Sequence, residues 1–175
     1  ASAISEGVDL SSGDVVVWMD ADLSMPPEKI KDLLGKIDDG YDLSVASRYV
    51  PGGGMVIIEK SQDSFLAIFL SLVMNIVIQK MLDPSFKDYT SGFVAVKKDI
   101  LDDIKLRGDY GEYFIDFIYR AIKKGYKIVE IPYICQARVY GVSKTGSSLI
   151  QYFKRGRKYI WTALRLRLTW FYRSK

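Results

Sequence analysis

The stretch Gly13–Ile30, GDVVVWMDADLSMPPEKI, decides the fold of this 175-residue chain. Its run Val15–Met19 is apolar throughout and closed by an acid, the pattern of a strand buried on both faces in a mainly parallel sheet. Pro26-Pro27-Glu28 then predicts a helix start, because proline suits the first turn and an acid meets the positive end of the helix dipole. Gly40 ends the helical spacing, and a second strand is predicted over Tyr41–Tyr49. Strand, helix and strand in this order favour an α/β fold.

Further patterns continue this alternation towards the C-terminus. Pro51–Gly54 predicts a flexible break before a long apolar segment. The remaining predicted segments are a helix over Ser61–Leu82, a strand over Tyr89–Val96, helices over Lys97–Ile104 and Tyr113–Lys124, a strand over Tyr126–Ile134, a polar loop over Arg138–Gly146 and a helix over Ser147–Tyr172. The uncharged stretch Ser64–Gln79 falls short of the roughly 18–20 apolar residues that a membrane span needs. We therefore expect it either to contact a membrane surface or to be a buried core helix.

The composition excludes several classes of protein and of catalyst. With 49% hydrophobic residues, 14 glycines and one cysteine, the chain is neither disordered, collagen-like nor a disulfide framework. It contains no histidine, which rules out Ser-His-Asp triads, Cys-His dyads and histidine-ligated zinc. The single cysteine, Cys135, follows an apolar run and is predicted to be a buried small hydrophobe rather than a nucleophile.

The charge is unevenly distributed along the chain. From Ile131 onward there are ten Lys or Arg and no acid, whereas the residues before it carry the other 15 basic groups against all 21 acids. A basic C-terminal arm predicts an anionic partner at that end. A helical stripe of apolar residues in the arm favours a membrane surface over nucleic acid. The stripe consists of Leu149, Phe153, Ile160, Leu164, Leu168 and Phe171.

Two carboxylates, Asp20 and Asp22, stand at the carboxyl end of the first predicted strand, where open α/β sheets bind their ligands. Hard oxygen ligands suit Mg²⁺ or Mn²⁺, which can bridge to a substrate diphosphate. A pair of solvated turn acids before the Pro-Pro helix start is the alternative interpretation of the same residues.

Four motifs in order, GDVVVWMDADLSMPPEKI, SVASRYVPGGG, DYTSGF and GYKIVEIPYICQARVYGVSK, resemble the polyprenyl-phosphate sugar synthases, which are family-2 glycosyltransferases of the GT-A fold. The resemblance covers residues 1–158. It implies a mixed, mainly parallel sheet flanked by helices. It also implies inverting transfer of a sugar from a nucleotide-sugar of the GDP-mannose or UDP-glucose type to the phosphate of a membrane polyprenol such as dolichyl phosphate.

The resemblance also implies roles for individual residues. Asp20 and Asp22 would bind Mg²⁺ or Mn²⁺, with Ser24 at a position where relatives usually carry glutamine. Arg48, Arg138 and Lys144 would hold phosphate groups, and the last two would act on the acceptor side. Because the acceptor phosphate is already an anion, no general base is required.

The segment containing Asp88 and Ser91 matches the family's Asp-x-Thr-Ser-Gly-Phe motif. Taken with the preceding roles, the expected catalytic residues are Asp22, Arg48, Asp88 and Arg138, and the expected substrate-binding residues are Asp20, Asp22, Arg48, Ser91, Arg138 and Lys144. Without the family, Arg48 could be a surface ion pair, Arg138 and Lys144 a solvated loop, and Asp88 a turn residue.

The organisation expected from the resemblance is residues 1–146 as the C-terminal part of a glycosyltransferase catalytic domain and residues 147–175 as a basic helix at the membrane interface. Only 19 residues precede Asp20, so we expect the chain to be a fragment that lacks the first nucleotide-binding strands. We also expect membrane association at the cytoplasmic face and no nucleic-acid partner. An Asp-x-Asp phosphohydrolase and a non-catalytic membrane- or nucleic-acid-binding module remain alternatives.

Overall fold

The computed structural model of the protein describes residues 2–56, 65–136 and 149–173. The helices are α1 (Ser2–Leu10), α2 (Lys29–Asp38), α3 (Phe65–Met81), α4 (Lys98–Asp103), α5 (Glu112–Lys124) and α6 (Leu149–Arg173). The strands are β1 (Val15–Trp18), β2 (Leu43–Ser47), β3 (Gly54–Met55), β4 (Val94–Lys97), β5 (Ile128–Pro132) and β6 (Ile134–Cys135).

The central sheet has the strand order β1-β4-β2-β5. β4 is antiparallel to both of its neighbours, while β2 and β5 are parallel, so β1, β2 and β5 all run in one direction. The predicted mixed, mainly parallel α/β sheet is confirmed. β4 lies between β1 and β2, which are therefore separated in space although only α2 separates them along the chain. The carboxyl ends of β1, β2 and β5 and the amino end of β4 meet at one edge of the sheet.

Helices cover both faces of this sheet because the sheet's side chains alternate between two apolar clusters. On one face, Ala95 and Phe93 pack with Leu33 of α2. On the other face, Val94 and Val96 join the larger cluster, to which α3, α4, α5 and α6 contribute. The buried α6 members of that cluster are Ala163 and Leu166. The C-terminal helix is therefore packed into the body of the protein in addition to having an exposed side.

Several boundaries differ from the sequence prediction. β1 is half-buried rather than buried on both faces, because it forms the end of the described sheet. The expected flexible break at Pro51–Gly54 instead leads into β3, which pairs with β6. Gly53 packs so closely on the Ser47 carbonyl that an added Cβ would lie 2.5 Å from it. The strand expected over Tyr89–Val96 begins only at Val94, because the preceding residues form a hydrogen-bonded turn.

The long helices α3 and α6 both present apolar side chains to solvent. Phe69 of α3 is 51% exposed, and Trp161 and Leu168 of α6 are 68% and 57% exposed. Within the described ranges, no helix is both long and apolar enough to cross a membrane. In the stretch Ser64–Gln79, Asn75 and Ile78 are fully buried, as expected of a core helix, while Phe69 is exposed. Its contact with a membrane surface stays a prediction.

Candidate functional site

The predicted site residues of the described ranges converge on the sheet edge where β1, β2 and β5 end. Asp20 and Asp22 follow β1, Arg48 follows β2, and Asp88 and Ser91 lie in the turn that precedes β4. This convergence follows from the strand directions, since like ends of parallel strands share an edge. The predicted phosphate ligands Arg138 and Lys144 lie outside the described residues, so their places relative to this edge stay a prediction.

The loop after β1 is tightly hydrogen-bonded. The Oδ1 atom of Asp22 accepts the backbone N–H of Ser24 at 3.0 Å and the Ser24 hydroxyl at 2.6 Å. Between them Leu23 has φ of 62°, a left-handed conformation that is uncommon for a leucine. The Ser24 carbonyl accepts the backbone N–H of Gln136 at 2.8 Å, which ties the loop to the chain leaving β6. Asp22 is thereby fixed, and Asp20 is exposed at the entrance of the loop.

Arg48 is held by hydrogen bonds to Asp88, which lies 40 residues later in the sequence. Its Nε and Nη2 atoms donate to the two Asp88 carboxylate oxygens at 2.9 and 2.7 Å, and its backbone N–H donates to Oδ2 at 3.0 Å. Nη2 also donates to the Thr90 hydroxyl at 2.8 Å. The Asp88 carboxylate is fully buried, and the Arg48 side chain is 13% exposed. This is the bidentate geometry of a strong charge-assisted pair.

The same pairing determines the charge of Arg48. Burial alone would lower the pKa of the guanidinium, but the charge and hydrogen bonds of Asp88 raise that pKa well above its usual value. Arg48 is consequently a permanent cation with a fixed orientation. The Asp88 carboxylate, which we expected to be catalytic, is enclosed behind it and also accepts the Thr90 backbone N–H at 3.2 Å.

Ser91 is largely buried and lies in the lining of the cavity described below, and its hydroxyl is hydrogen-bonded within the protein. It donates to the Ala46 carbonyl at 2.5 Å and accepts the Phe93 backbone N–H at 3.2 Å. Its side chain holds the turn before β4 against the end of β2.

Glu130 of β5 supports the turn that carries Asp88, and the sequence analysis did not single it out. Its Oε2 and Oε1 atoms accept the backbone N–H groups of Lys87 and Asp88 at 2.7 and 2.9 Å. Burial raises the pKa of its carboxyl above the ordinary value, although these two hydrogen bonds act in the opposite direction. The signal available in the sequence was an acid inside an otherwise apolar strand, KIVEIP.

A cavity of about 750 Å³ opens beside this edge. Its polar side includes Asp20, Ser24, Arg48 and Thr90. Its apolar wall is formed by side chains of α3, α5 and α6. The wall includes Ile68, Val73, Met74, Val77, Phe114 and Ile160. The cavity can therefore hold a molecule with a charged end and a hydrocarbon part.

Aromatic hydroxyls and the lone thiol complete the lining. Tyr113 accepts the indole N–H of Trp18 at 3.0 Å, and burial together with the nearby charge of Asp20 raises the pKa of Tyr113 to about 12. Cys135 is half-buried, and burial raises the pKa of its thiol. A thiol that is hard to ionise agrees with the predicted packing role rather than with nucleophilic chemistry.

Basic residues of α6 face one acid of α5 and one acid just before it. Lys158 lies 3.8 Å from an Asp109 oxygen, and Arg165 lies 4.0 Å from Asp116. Asp116 also accepts from Arg120 one turn further along α5, so it forms an i,i+4 ion pair. These contacts, together with the burial of Ala163, hold α6 against the body.

Comparison with known proteins identifies the family. The domain profile described as Glycosyl transferase family 2 matches residues 1–105. The chain belongs to glycosyl transferase family 2. The match includes both aspartates of the β1 loop, the Arg48–Asp88 pair and the turn before β4, and it favours a glycosyltransferase over a phosphohydrolase.

Curated relatives of this glycosyl transferase family 2 chain share about a third of its residues. A polyprenol monophosphomannose synthase of Mycolicibacterium smegmatis is 36% identical over 140 residues, covering 78% of the chain and 51% of the relative. A dolichol-phosphate mannosyltransferase of Pyrococcus furiosus is 33% identical over 159 residues, covering 88% of the chain and 43% of the relative. The chain thus spans about half the length of these two proteins.

Solved structures match the fold. Glucosyl-3-phosphoglycerate synthase from Mycobacterium tuberculosis, in complex with Mn²⁺, UDP-glucose and phosphoglyceric acid, aligns with a TM-score of 0.66 at 16% identity. The alignment covers 94% of the family 2 chain and 53% of that structure. The same synthase has also been crystallised with Mg²⁺ and UDP. The likeness establishes the GT-A fold for this chain, with its mixed sheet flanked by helices.

Proposed function

We propose that this chain contributes to the catalytic site of an inverting glycosyltransferase whose acceptor is the phosphate of a membrane polyprenol, such as dolichyl phosphate. The donor is a nucleotide-sugar of the GDP-mannose or UDP-glucose type. The observation that carries the proposal is that the Asp20 carboxylate and the Arg48 guanidinium line one cavity with a largely apolar wall. A polyprenyl phosphate has a charged head and a hydrocarbon chain, which match the two sides of that cavity. The names of the mannosyltransferase relatives support the same acceptor class.

Asp20, Asp22 and Ser24 are proposed to hold a divalent cation, Mg²⁺ or Mn²⁺. The described residues contain no group of three or more His, Cys, Asp or Glu that would form an all-protein metal cage. Two carboxylates beside a hydroxyl nevertheless fit Mg²⁺, because this ion is usually bound through one or two carboxylates together with substrate phosphates. When bound, the cation neutralises charge that develops on the leaving nucleoside diphosphate. The hydrogen bonds from Ser24 keep the Asp22 carboxylate in one orientation.

Arg48 is proposed to contact a phosphate group at the cavity edge. Its guanidinium is oriented by Asp88 and Thr90, so little rotamer entropy remains to be lost when a substrate binds. Asp88 then acts by holding Arg48, and Ser91 by holding the turn. Arg138 and Lys144 are proposed to bind the acceptor phosphate from the loop outside the described residues.

The attacking group in this proposal is an oxygen of the acceptor phosphate. A phosphate monoester is already an anion at neutral pH, so it attacks the anomeric carbon without losing a proton to the protein. A chain without histidine can support this step, because its task is to position charges. Attack from the side opposite the departing diphosphate inverts the anomeric centre.

The exposed sides of α3 and α6 are proposed to lie on an anionic membrane surface at the cytoplasmic face. Phe69, Trp161 and Leu168 are each more than half exposed. Basic residues of α6 flank Trp161 and Leu168 along the chain. Each basic group near an anionic surface adds about 1 kcal/mol to the free energy of membrane binding. This arrangement would bring the cavity close to the lipid layer in which a polyprenol is dissolved.

The metal assignment is tested with Asp22→Asn in the protein expressed with its complete native sequence. We expect sugar transfer to dolichyl phosphate to fall by at least about 100-fold while the circular dichroism spectrum is unchanged. Asp32→Asn is the matched control, since Asp32 is an exposed acid of α2 paired with Lys29. Near-normal transfer by Asp22→Asn, or full activity in excess EDTA, would contradict the assignment.

Membrane association is tested by co-sedimentation with vesicles of neutral and of anionic lipid. Retention should be stronger on anionic vesicles and should weaken with added salt. Leu168→Gln should reduce retention, whereas Leu10→Gln should not, because Leu10 is 85% exposed but belongs to α1, which is not one of the two proposed membrane-facing helices. Equal retention on both lipids would contradict the electrostatic contribution. Failure to bind either lipid together with tight binding of duplex DNA would favour a nucleic-acid partner instead.

A further inference from the structure

Glu130 reaches from the end strand of the sheet to the turn that carries Asp88. Its two carboxylate oxygens each accept one of two consecutive backbone N–H groups, those of Lys87 and Asp88. Two charge-assisted hydrogen bonds to neighbouring peptide groups fix the position and the orientation of the backbone at Lys87 and Asp88. The turn before β4 is therefore held by a side chain from β5, although more than 40 residues separate the two in sequence.

The turn that Glu130 holds also determines the position of Arg48. Both carboxylate oxygens of Asp88 accept hydrogen bonds from Arg48, whose donors are Nε, Nη2 and the backbone N–H. A shift of the Asp88 backbone would carry this carboxylate, and the guanidinium with it. Two successive contacts thus connect Glu130 to the Arg48 guanidinium, which lines the cavity: the Glu130 carboxylate binds the Asp88 peptide, and the Asp88 carboxylate binds the guanidinium.

The buried position of Glu130 disfavours its charged form, whereas hydrogen bonds from Lys87, Ser47 and Asp88 favour that form. Burial raises the pKa of Glu130, and the negative charge of the nearby Asp88 adds to that rise. A glutamine at this position would avoid both penalties. It would, however, offer one carbonyl oxygen and one donating NH₂ group to two backbone donors, so one of the two bonds would be lost.

We propose that Glu130 is a positioning residue for sugar transfer, acting through Asp88 on the phosphate-binding orientation of Arg48. The inference rests on the proposed phosphate contact of Arg48. A displacement of about 1 Å in a positioning group can lower a rate by about 100-fold, so loss of one peptide contact has a measurable effect on catalysis without unfolding the protein.

Glu130→Gln tests this proposal in the complete protein, with Asp42→Asn as the matched control. Asp42 also accepts a backbone N–H, that of Lys127 at 2.9 Å, and pairs with Lys97, but it lies at the opposite edge of the sheet. We expect Glu130→Gln to lower kcat for transfer to dolichyl phosphate by about 10- to 100-fold, at a stability close to that of Asp42→Asn. The control should keep normal kcat and KM. An equal fall in kcat for both variants would overturn the proposal, since it would indicate a merely structural effect.

A double-variant comparison isolates the route through Arg48. Arg48→Lys keeps a positive charge opposite Asp88 but removes the bidentate hydrogen bonding of the guanidinium to that carboxylate. If Glu130 acts through Arg48, Glu130→Gln should lower kcat by less than about threefold in the Arg48→Lys background. A full 10-fold or greater loss in that background would overturn the proposal.

Amide hydrogen exchange gives a readout that does not depend on activity. In Glu130→Gln the Lys87 or Asp88 amide should exchange at least about tenfold faster than in the parent. Unchanged exchange at both amides would overturn the positioning role even if transfer is observed. If the parent transfers no sugar while the amide exchange responds as expected, the contact is real and the proposed function fails instead.

Discussion

Replacing Asp88 by alanine should destabilise the protein strongly, because it removes the partner of a buried arginine. Asp88 is fully buried, and it accepts three N–H groups of Arg48, whose side chain is only 13% exposed. Removing one partner of a buried, hydrogen-bonded ion pair leaves an uncompensated charge and costs about 3–5 kcal/mol. For a domain of this size that corresponds to a fall in Tm of about 6–20 °C.

Asp83→Ala provides the matched control. Asp83 accepts the backbone N–H and the hydroxyl of Ser85 at 3.0 and 2.6 Å, the same local turn that Asp88 makes with Thr90, but without a buried arginine. We expect this control to lose only about 1 kcal/mol. The assay is denaturant unfolding of the parent and both variants. A difference of less than about 1 kcal/mol between the two variants would refute the reasoning, because the buried charge would then be supported by something other than Asp88.

Three further predictions concern packing, buried polar groups and pH. Asn75→Ala should lower the unfolding free energy by about 1–3 kcal/mol, because the fully buried amide accepts the Tyr89 backbone N–H at 3.0 Å and the variant leaves that donor without this partner. Gly111→Ala should lower the Tm, since the added Cβ would lie 2.2 Å from the Tyr159 hydroxyl, and Tyr159→Phe in the same chain should restore part of the loss. Tyr113 should ionise only near pH 12, so its contribution to stability is fully present below about pH 10 and is lost as the pH rises through the folded pKa. The difference in phenolate absorbance between the parent and Tyr113→Phe measures this titration.

Local patterns were enough to predict the elements that do not depend on distant residues. The apolar run before Asp20, the Pro-Pro start of α2 and its end near Gly40 all follow from chemistry within a few residues. α5 likewise ends at Gly125, which has φ of 83° and caps the helix in the left-handed conformation. The types of these elements were correct, and their boundaries differed by only a few residues.

Pairings between distant residues could not be predicted in the same way. β4 lies between β1 and β2, and nothing in the local sequence of Val94–Lys97 indicates that position. The two-residue strand β3 lies in a glycine-rich stretch that by composition predicts a break. Arg48 and Asp88 were each singled out, yet their mutual contact was not, because sequence motifs give residue types and not partners. Glu130 was missed, since an acid within a strand ordinarily indicates a solvent-facing position.

The contacts among these residues suggest how a chain without histidine positions charge with arginine and carboxylates. The Asp88 carboxylate raises the pKa of Arg48 well above its usual value, so the guanidinium remains a cation near neutral pH. The proposed reaction, between a phosphate anion and a sugar with a diphosphate leaving group, gains little from a base whose ionisation changes between pH 5 and 8. It gains from charges whose positions do not change when the substrate binds, because reorganisation is then avoided at the moment of transfer. Glu130, Asp88 and Arg48 are joined by bonds of 2.7–3.0 Å in such an arrangement, and each layer restricts the motion of the next. The burial of the Arg48–Asp88 pair fits this requirement of the proposed reaction.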